Sequence, residues 1–195
     1  IVEGDAFVRA GLWKRQSFPL GVTLNNKTVG IVGLGKIGQS VARKCEAFNM
    51  KVAYTARSPK DLPYEYVADV IDLASKSDFL VLTCPGTPET KDMIDYNVLA
   101  HLGERGFLIN IARGSVVKED DLLAALDNKI IAGAALDVYA DEPNVPEGLF
   151  KMDNVVLTPH IGSATKETRR DMGDLIVANI RAHIHGQDLL TPVRM

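Results

Sequence analysis

Cysteine is scarce in this chain, and net charge is small. Of 195 residues only Cys45 and Cys84 are cysteines, too few for a disulfide framework. Both lie in stretches typical of buried segments, so we expect packed, reduced thiols. The formal net charge is -3 and no basic block occurs, which argues against nucleic acid or an anionic membrane as a partner. Local sites for small anionic ligands are compatible with this charge.

Long apolar runs and metal-ligand clusters are also missing. No apolar stretch approaches the roughly 20 residues that span a bilayer, so we expect no membrane contact and a cytoplasmic location. No His, Cys, Asp or Glu cluster has metal-ligand spacing, and no metal site is expected. The Gly-x-Ser-x-Gly elbow of α/β-hydrolases does not occur, and neither does the phosphate loop of NTPases. The sequence therefore argues against both classes of enzyme. We expect His101, His183 and His185 to be exposed helix residues without a chemical role.

Short β-type runs alternate with helical patterns, which predicts a doubly wound α/β fold with a parallel sheet. The strands are expected at residues 28–32, 52–55, 79–83, 107–111, 131–136 and 155–157. The helices between them are expected at residues 37–48, 69–75, 96–101 and 119–127. Several strands, such as Phe79-Leu80-Val81-Leu82, are apolar throughout, as in sheets that helices cover on both faces.

The two ends of the chain show a different pattern. Residues 166–185 predict one longer helix, and five apolar side chains share one of its faces: Met172, Leu175, Ile176, Ile180 and Ile184. Residues 6–16 form a short segment whose apolar side is made by Val8, Leu12 and Trp13. Both ends are typical of the edges of a partner domain. We therefore expect a connecting helix or linker at 1–20, a dinucleotide-binding domain at 21–165, and a C-terminal helix and tail at 166–195.

A glycine motif carries the strongest functional signal. Gly33-Leu34-Gly35-Lys36-Ile37-Gly38 follows the apolar run Val29-Gly30-Ile31-Val32 and precedes a helical stretch. In such a motif the first glycine permits a tight turn, the second lets a pyrophosphate approach the backbone, and the third lets helix and strand pack closely. The phosphates then lie on the amides of the helix N-terminus. The motif in this context predicts a bound dinucleotide.

The end of the second expected strand bears on which dinucleotide is bound. NAD-selective sites usually carry Asp or Glu there to hold the ribose 2′-hydroxyl. This chain has Ala56-Arg57-Ser58 instead, and Arg57 with Ser58 could hold a 2′-phosphate by charge-assisted hydrogen bonds. The sequence therefore favours NADP(H), with NAD(H) as the second option. The alternative is that Arg57 is a solvated loop arginine.

Three later strand ends carry residues suited to catalysis. Arg113, in Asn110-Ile111-Ala112-Arg113-Gly114, has a planar guanidinium that matches a carboxylate bidentately. His160 could act as acid and base near neutrality, and Glu142 against its far nitrogen would fix the tautomer. Each residue taken alone has a structural alternative: a turn at Arg113, a satisfied structural histidine at His160, and a surface loop at Glu142.

Four segments in this order resemble the D-isomer-specific 2-hydroxyacid dehydrogenase family. They are Val32-Gly33-Leu34-Gly35-Lys36-Ile37-Gly38, Asn110-Ile111-Ala112-Arg113-Gly114, Asp137-Val138 through Glu142-Pro143, and Pro159-His160-Ile161-Gly162. The likeness runs from about Val8 to the last helix. Within the family, residues 54–58 and 84–87 look most like the NADPH-preferring glyoxylate and hydroxypyruvate reductases.

The resemblance implies a Rossmann-type domain that reduces a 2-keto acid to a D-2-hydroxy acid. Arg113 would bind the substrate carboxylate and help polarise the keto oxygen. His160 would protonate that oxygen, Glu142 would hold His160 protonated and aligned, and Asp137 would contact the nicotinamide end. The residues that would bind the cofactor are Gly33, Leu34, Gly35, Lys36, Ile37, Gly38, Arg57, Ser58, Cys84, Pro85, Thr90, Ile111, Ala112, Arg113, Asp137, His160 and Gly162.

Members of the family have a further N-terminal segment that forms most of a substrate domain, and the likeness starts here within the connecting helix. We therefore expect a truncated form that binds cofactor but turns over poorly. The resemblance also implies a homodimer formed through the nucleotide domain. Two alternatives stay open: a non-catalytic nucleotide-binding module, like the corepressors that share this fold, and a unit whose chief role is dimerisation.

Overall fold

The computed structural model describes residues 1–193, and their main feature is a seven-stranded sheet in which every strand runs parallel to its neighbours. The strands are β1 (Thr28–Val32), β2 (Lys51–Thr55), β3 (Glu65–Tyr66), β4 (Phe79–Leu82), β5 (Phe107–Asn110), β6 (Gly133–Leu136) and β7 (Val155–Leu157). Their spatial order is β3-β2-β1-β4-β5-β6-β7. The order reverses between β1 and β4, and sheets of this kind bind ligands in the crevice at that point, outside the carboxyl ends of the strands.

Helices connect most of the strands, so the predicted doubly wound α/β fold is confirmed. They are α1 (Val2–Arg9), α2 (Lys36–Glu46), α3 (Val70–Ser75), α4 (Tyr96–Leu102), α5 (Glu119–Asp127) and α6 (Lys166–Ile184). Short 3₁₀ turns cover Leu12–Lys14, Pro88–Thr90, Gly114–Val116 and Glu147–Lys151. Carboxylates begin two of the helices, since Asp69 accepts from the Ile71 amide at 2.7 Å and Asp95 from the Val98 amide at 3.0 Å.

The core lies on both faces of the sheet. On β4, Leu80 and Leu82 pack in a cluster with residues of α3, α4 and α5, whereas Val81 between them packs in a second cluster with residues of α2 and β2. Successive strand residues point to opposite faces, so a strand covered on both sides must be apolar at every position. This explains the continuous apolar run of residues 79–82, as the sequence predicted.

Several boundaries and one strand differ from the sequence-based expectation. Strand β3 was not expected, because only two residues pair with β2 and they carry no apolar pattern. The strands expected at 79–83, 107–111 and 131–136 are each shorter at one end, and the helix expected at 37–48 ends at Glu46. At the start of the chain, α1 ends before Gly11, whose φ of +69° is left-handed, so Val8 and Trp13 do not share one helix.

The chain divides into two compact units, residues 1–159 and the segment from His160 onward. In the second unit, the Thr165 hydroxyl accepts from the Thr168 amide at 3.1 Å and begins α6, which confirms the predicted long helix. The five apolar residues of its expected face are exposed. Residues 194 and 195 of the expected C-terminal segment lie outside the described residues.

The burial of the two cysteines and the exposure of three histidines were also expected from the sequence. Cys84 is buried as expected, but Cys45 is only half-buried, because it lies near the end of α2 beside exposed residues. His101, His183 and His185 are exposed, the first two on helices and the last at the end of α6. Among residues 1–193, none of the helices combines the length and the apolar character that a membrane crossing needs.

Candidate active site

The glycine turn after β1 shows three different environments. Gly33 has a φ of +93°, and a β-carbon there would lie 2.8 Å from the backbone nitrogen of Cys84. A β-carbon on Gly38 would overlap the carbonyl oxygen of Gly33, whereas one on Gly35 would meet no atom within 4 Å. The outer glycines are therefore required by packing, and the middle glycine leaves open space beside the start of α2. This is the arrangement that a pyrophosphate needs.

The N-terminus of α2 is suited to an anion. Gly35 precedes the helix without a side chain that caps the first amides, and no acidic residue lies in the first turn. Lys36 and Ile37 are exposed at this end, while Leu34 is buried in the core and can offer a ligand only its backbone. Free amides and the helix dipole both favour negative charge here.

Two tyrosines brace the loop after β2, which carries the residues expected to select the cofactor. The Tyr54 hydroxyl accepts from the Lys60 amide at 2.6 Å. The Tyr66 hydroxyl donates to the carbonyl oxygen of the residue before Arg57 at 3.3 Å. Arg57 and Ser58 are exposed between these two anchors. The backbone under both side chains is thus held while their polar groups stay accessible.

The loop after β4 is closed by the hydroxyl of Thr90. This oxygen donates to the Pro85 carbonyl at 2.7 Å and accepts from the Thr87 amide at 2.8 Å. Burial raises the pKa of the Cys84 thiol, which lies at the start of the loop. Pro85 is exposed on this loop, and Thr90 maintains the shape of the loop.

Arg57 contributes to the electrostatics of the loop after β4. The hydrogen bond with Thr87 lowers the pKa of the Glu89 carboxyl, a bond with the Glu89 amide lowers it further, and the positive charge of Arg57 adds to the effect. Arg57 follows β2 and Glu89 follows β4, so both lie beyond the carboxyl ends of strands in the same parallel sheet. The glycine turn after β1 lies between their two strands.

A buried asparagine shapes the turn that carries Arg113. Asn110 is 1% exposed at the end of β5. Its amide nitrogen donates to the Arg113 carbonyl at 3.1 Å, and its side-chain oxygen accepts from the Ala112 amide at 3.0 Å. The Arg113 guanidinium donates to the Ala112 carbonyl at 2.6 Å, and the side chain is exposed, as is that of Ile111. Sequence reasoning gave Asn110 no role, although a polar residue ending an apolar strand was a usable signal.

Two glycines lie where the Arg113 turn packs against the loops after β4 and β6. A β-carbon on Gly86, in the loop after β4, would lie 3.0 Å from Cβ and Cγ of Arg113. A β-carbon on Gly114 would overlap the backbone of Tyr139, in the loop after β6. Position 114 therefore needs glycine because backbone of another loop occupies the space, whereas a side chain at position 86 would be tight against Arg113.

The loop after β6 is tied to the end of β7. Thr158 donates its hydroxyl to the half-buried Asp137 carboxylate at 2.5 Å. The buried Tyr139 hydroxyl donates to the Thr158 carbonyl at 3.1 Å. Burial raises the pKa of Tyr139, and the negative charge of Asp137 raises it further. Asp137 is thus held at the carboxyl edge of the sheet.

The same loop carries Glu142. Its Oε1 accepts from the Tyr139 amide at 3.2 Å, and the peptide bond to Pro143 is cis. A second carboxylate reaches the loop from α5, because Oε1 of Glu119 accepts from the Ala140 amide at 2.8 Å. Glu142 is exposed on a loop whose backbone is held from two sides.

His160 belongs to the second unit. Its φ of +52° is left-handed, a conformation uncommon for residues other than glycine, and its side chain is exposed, as is Gly162. Within residues 1–159, the glycine turn and the loops of Arg57, Arg113 and Glu142 all follow carboxyl ends of strands of one sheet. Among the described residues, no group of His, Cys, Asp and Glu could hold a metal ion.

Comparison with known proteins shows which family the chain resembles. Residues 1–162 match the family described as D-isomer specific 2-hydroxyacid dehydrogenase, NAD binding domain. Glyoxylate/hydroxypyruvate reductase A of Arabidopsis thaliana is 48% identical over 194 residues, which are 99% of this chain and 62% of that protein. Hydroxyphenylpyruvate reductase of Plectranthus scutellarioides is 50% identical over the same shares. The chain thus spans about three fifths of the length of these curated relatives.

A solved structure has the same fold. The NADPH-dependent glyoxylate/hydroxypyruvate reductase of Sinorhizobium meliloti, crystallised with NADP and malonate, matches with a TM-score of 0.92 and 44% identity. The match covers 97% of this chain and 60% of the bacterial one.

Proposed function

The chain belongs to the D-isomer specific 2-hydroxyacid dehydrogenase family, and from this membership we propose that it is the cofactor domain of an NADPH-dependent reductase of small 2-keto acids. The glycine turn carries the proposal. Gly33 and Gly38 are required by packing, whereas Gly35 leaves open space beside helix amides that no side chain caps. When bound, the nicotinamide supplies the hydride that reduces the keto carbon.

The preference for NADPH over NADH rests on the loop after β2. Ala56 offers no carboxylate to a ribose 2′-hydroxyl, while Arg57 and Ser58 are exposed on a braced loop. A guanidinium and a hydroxyl match the acceptors of a 2′-phosphate. The NADP bound by the Sinorhizobium meliloti reductase agrees with this preference.

Arg113 binds the substrate carboxylate in this proposal. It is exposed at the carboxyl end of β5, and the turn that carries it is fixed by Asn110 and by the close packing of Gly114. A cation held in advance binds an anionic substrate without the cost of ordering its own backbone. The same charge polarises the keto oxygen of the bound substrate.

His160 and Glu142 are the proposed acid-base residues. In this proposal His160 donates a proton to the keto oxygen as the hydride arrives, and Glu142 serves as the carboxylate of the acid-base pair. Their positions in the motifs of the family support these roles, since each follows a strand end downstream of the glycine turn. Asp137, on the same loop as Glu142, contacts the nicotinamide end.

Two further proposals concern assembly and location. We infer a homodimer formed through the nucleotide domain, as the resemblance to the family implies, since pairing of two identical surfaces suits this fold. We also infer a cytoplasmic protein that binds no nucleic acid, in line with its net charge of -3. Light scattering of the purified chain tests the dimer, and cell fractionation tests the location.

The deciding experiment is a titration of the chain with NADPH and NADH, followed by an assay with glyoxylate and hydroxypyruvate. We expect tighter binding of NADPH, and turnover when the chain is joined to the N-terminal segment of the Arabidopsis thaliana reductase. No binding of either nucleotide would overturn the proposal. Firm NADPH binding without turnover by the joined protein would favour a non-catalytic module instead.

A further inference from the structure

Glu119 links the two loops to which the proposed function assigns chemistry. It is the first residue of α5 and follows the Arg113 turn by only six positions. Its Oε1 accepts from the backbone amide of Ala140 at 2.8 Å. Ala140 lies between Asp137, at the nicotinamide end, and Glu142, the proposed partner of the histidine. The Glu119 carboxylate, which follows the Arg113 turn in the chain, therefore holds the middle of the loop after β6.

The ordinary role of an acidic residue here would be to stabilise the helix. Glu119, Asp120 and Asp121 all lie in the first turn of α5, where a negative charge complements the helix dipole. Asp121 accepts from the Tyr96 amide at 2.9 Å, which ties α5 to α4 rather than to the site. Glu119 is the member of this turn whose carboxylate is bonded to the loop after β6. Helix stabilisation alone does not require that bond.

The backbone of the loop after β6 also packs against the Arg113 turn. Gly114 packs directly against the backbone of Tyr139, and the Tyr139 amide donates to Glu142 at 3.2 Å. The packing limits how near the loops come, while the Glu119 bond prevents the loop from moving away. Together they fix the spacing between the Arg113 turn and the Glu142 loop.

We propose that Glu119 is a positioning residue that holds the loop of Asp137 and Glu142 against the Arg113 turn, and so shapes the nicotinamide end of the cofactor site. This inference rests on the proposed function. The adenosine end should not depend on it, because Arg57 follows β2 and Ala140 follows β6, four strands away in the sheet. At about 4.8 Å between strands the two ends are roughly 19 Å apart.

The test compares two ligands on the intact chain. NADPH reaches both ends of the site, whereas 2′,5′-ADP carries only the adenosine and its 2′-phosphate. We expect Glu119→Ala to weaken NADPH binding by about three- to tenfold and to leave 2′,5′-ADP binding unchanged. Glu119→Gln keeps an oxygen that can accept from the Ala140 amide, and should restore NADPH affinity to within about twofold of the original chain.

Asp120→Ala is the matched control, since it removes one negative charge from the same helical turn at an exposed position. It should change neither affinity. Equal NADPH affinity in Glu119→Ala and the original chain overturns the inference, and so does a parallel loss of both ligands, which would indicate general loosening of the domain. If the original chain binds neither ligand, the proposed function fails first and the inference with it.

Discussion

Gly114 packs so closely against Tyr139 that a β-carbon at position 114 would overlap the Tyr139 carbonyl group. The two residues follow different strands, β5 and β6, and their contact sets the spacing of the loops that carry Arg113 and Glu142. Glycine is required at position 114 because the backbone of the Tyr139 loop leaves no room for a side chain, and not because of the dihedral angles at position 114.

Replacing this glycine should therefore force the two loops apart. We expect Gly114→Ala to lower the free energy of unfolding by about 1–3 kcal/mol, since overpacking displaces backbone that cannot repack. Urea denaturation of the purified chain measures the change. The control is Gly4→Ala in α1, where nothing lies within 4 Å and alanine should stabilise the helix by about 0.5–1 kcal/mol. Equal stability of Gly114→Ala and the original chain would show that the loops can separate freely.

Arg57 should select the nucleotide through its charge. Removing the guanidinium in Arg57→Ala should weaken NADPH binding by about ten- to a hundredfold and leave NADH binding almost unchanged, because only NADPH carries the 2′-phosphate. Fluorescence titrations of both nucleotides measure this. Lys60→Ala is the control: it removes a nearby exposed cation, while the backbone bond of Lys60 to Tyr54 is kept. Equal losses for NADPH and NADH would refute the assignment of Arg57.

Asn110 should matter for stability and for substrate binding alike. Asn110→Ala leaves the Ala112 amide and the Arg113 carbonyl without their side-chain partner in a buried place, which should cost about 1–3 kcal/mol. Asn110→Asp keeps the acceptor for the amide but not the donor to the carbonyl, and its loss should be intermediate. Denaturation measures stability, and the KM for glyoxylate in the joined protein measures the position of Arg113. An unchanged KM in Asn110→Ala would show that Arg113 does not depend on Asn110.

The fold followed from the sequence more completely than the site did. Continuous apolar runs such as residues 79–82 require a sheet buried on both faces, and their alternation with helical patterns requires parallel strands. The strand β3 could not be predicted, because two residues beside Ala53 and Tyr54 form it through backbone pairing alone. The early end of α1 depends on the conformation of Gly11, which a helical pattern does not reveal.

The order of the motifs was enough to predict that the proposed site residues within residues 1–159 follow strand ends, and carboxyl ends of parallel strands meet at one edge. The residues that hold these loops in place could not be predicted. Asn110, Tyr139 and Glu119 act through bonds to loops that are distant in sequence or to backbone atoms, and neither kind of bond leaves a spacing pattern. The half-buried state of Cys45 was missed for a similar reason, since burial near a helix end depends on what packs there.

Tyr139 should make the stability of the chain depend on alkaline pH. Burial, and then the charge of Asp137, raise the pKa of Tyr139 above the ordinary 10.0. The protonated hydroxyl therefore contributes its full stability below pH 10 and loses it as the pH rises through the raised pKa. Tyr139→Phe should be about 0.5–1.5 kcal/mol less stable at neutral pH, with the gap narrowing above pH 10.

Urea unfolding of both proteins across the alkaline range measures this gap. Tyr96→Phe, at an exposed tyrosine of α4, controls for the general effect of alkali. Parallel curves for the original chain and Tyr139→Phe over the whole range would mean that the Tyr139 hydroxyl contributes nothing that depends on its proton.

Variants of two motif glycines, Gly35 and Gly38, should separate an effect on binding from an effect on folding. Gly35 has a φ of -79° and open space where a β-carbon would lie, so Gly35→Ala should change the free energy of unfolding by less than about 1 kcal/mol. The new methyl group would occupy the place of the pyrophosphate, so NADPH binding should weaken by at least about tenfold. Gly38→Ala is the contrasting variant. Its β-carbon would overlap the Gly33 carbonyl, and it should destabilise the fold itself.

Calorimetric titration with NADPH and urea denaturation, made on the same two preparations, distinguish these effects. If the Gly35→Ala chain is stable and binds NADPH normally, the pyrophosphate does not lie against position 35. The open space there is assigned to the ligand because no protein atom lies within 4 Å of a β-carbon at that position. If Gly35→Ala instead unfolds as readily as Gly38→Ala, position 35 is constrained by the fold. The open space beside α2 would then no longer be evidence for a ligand.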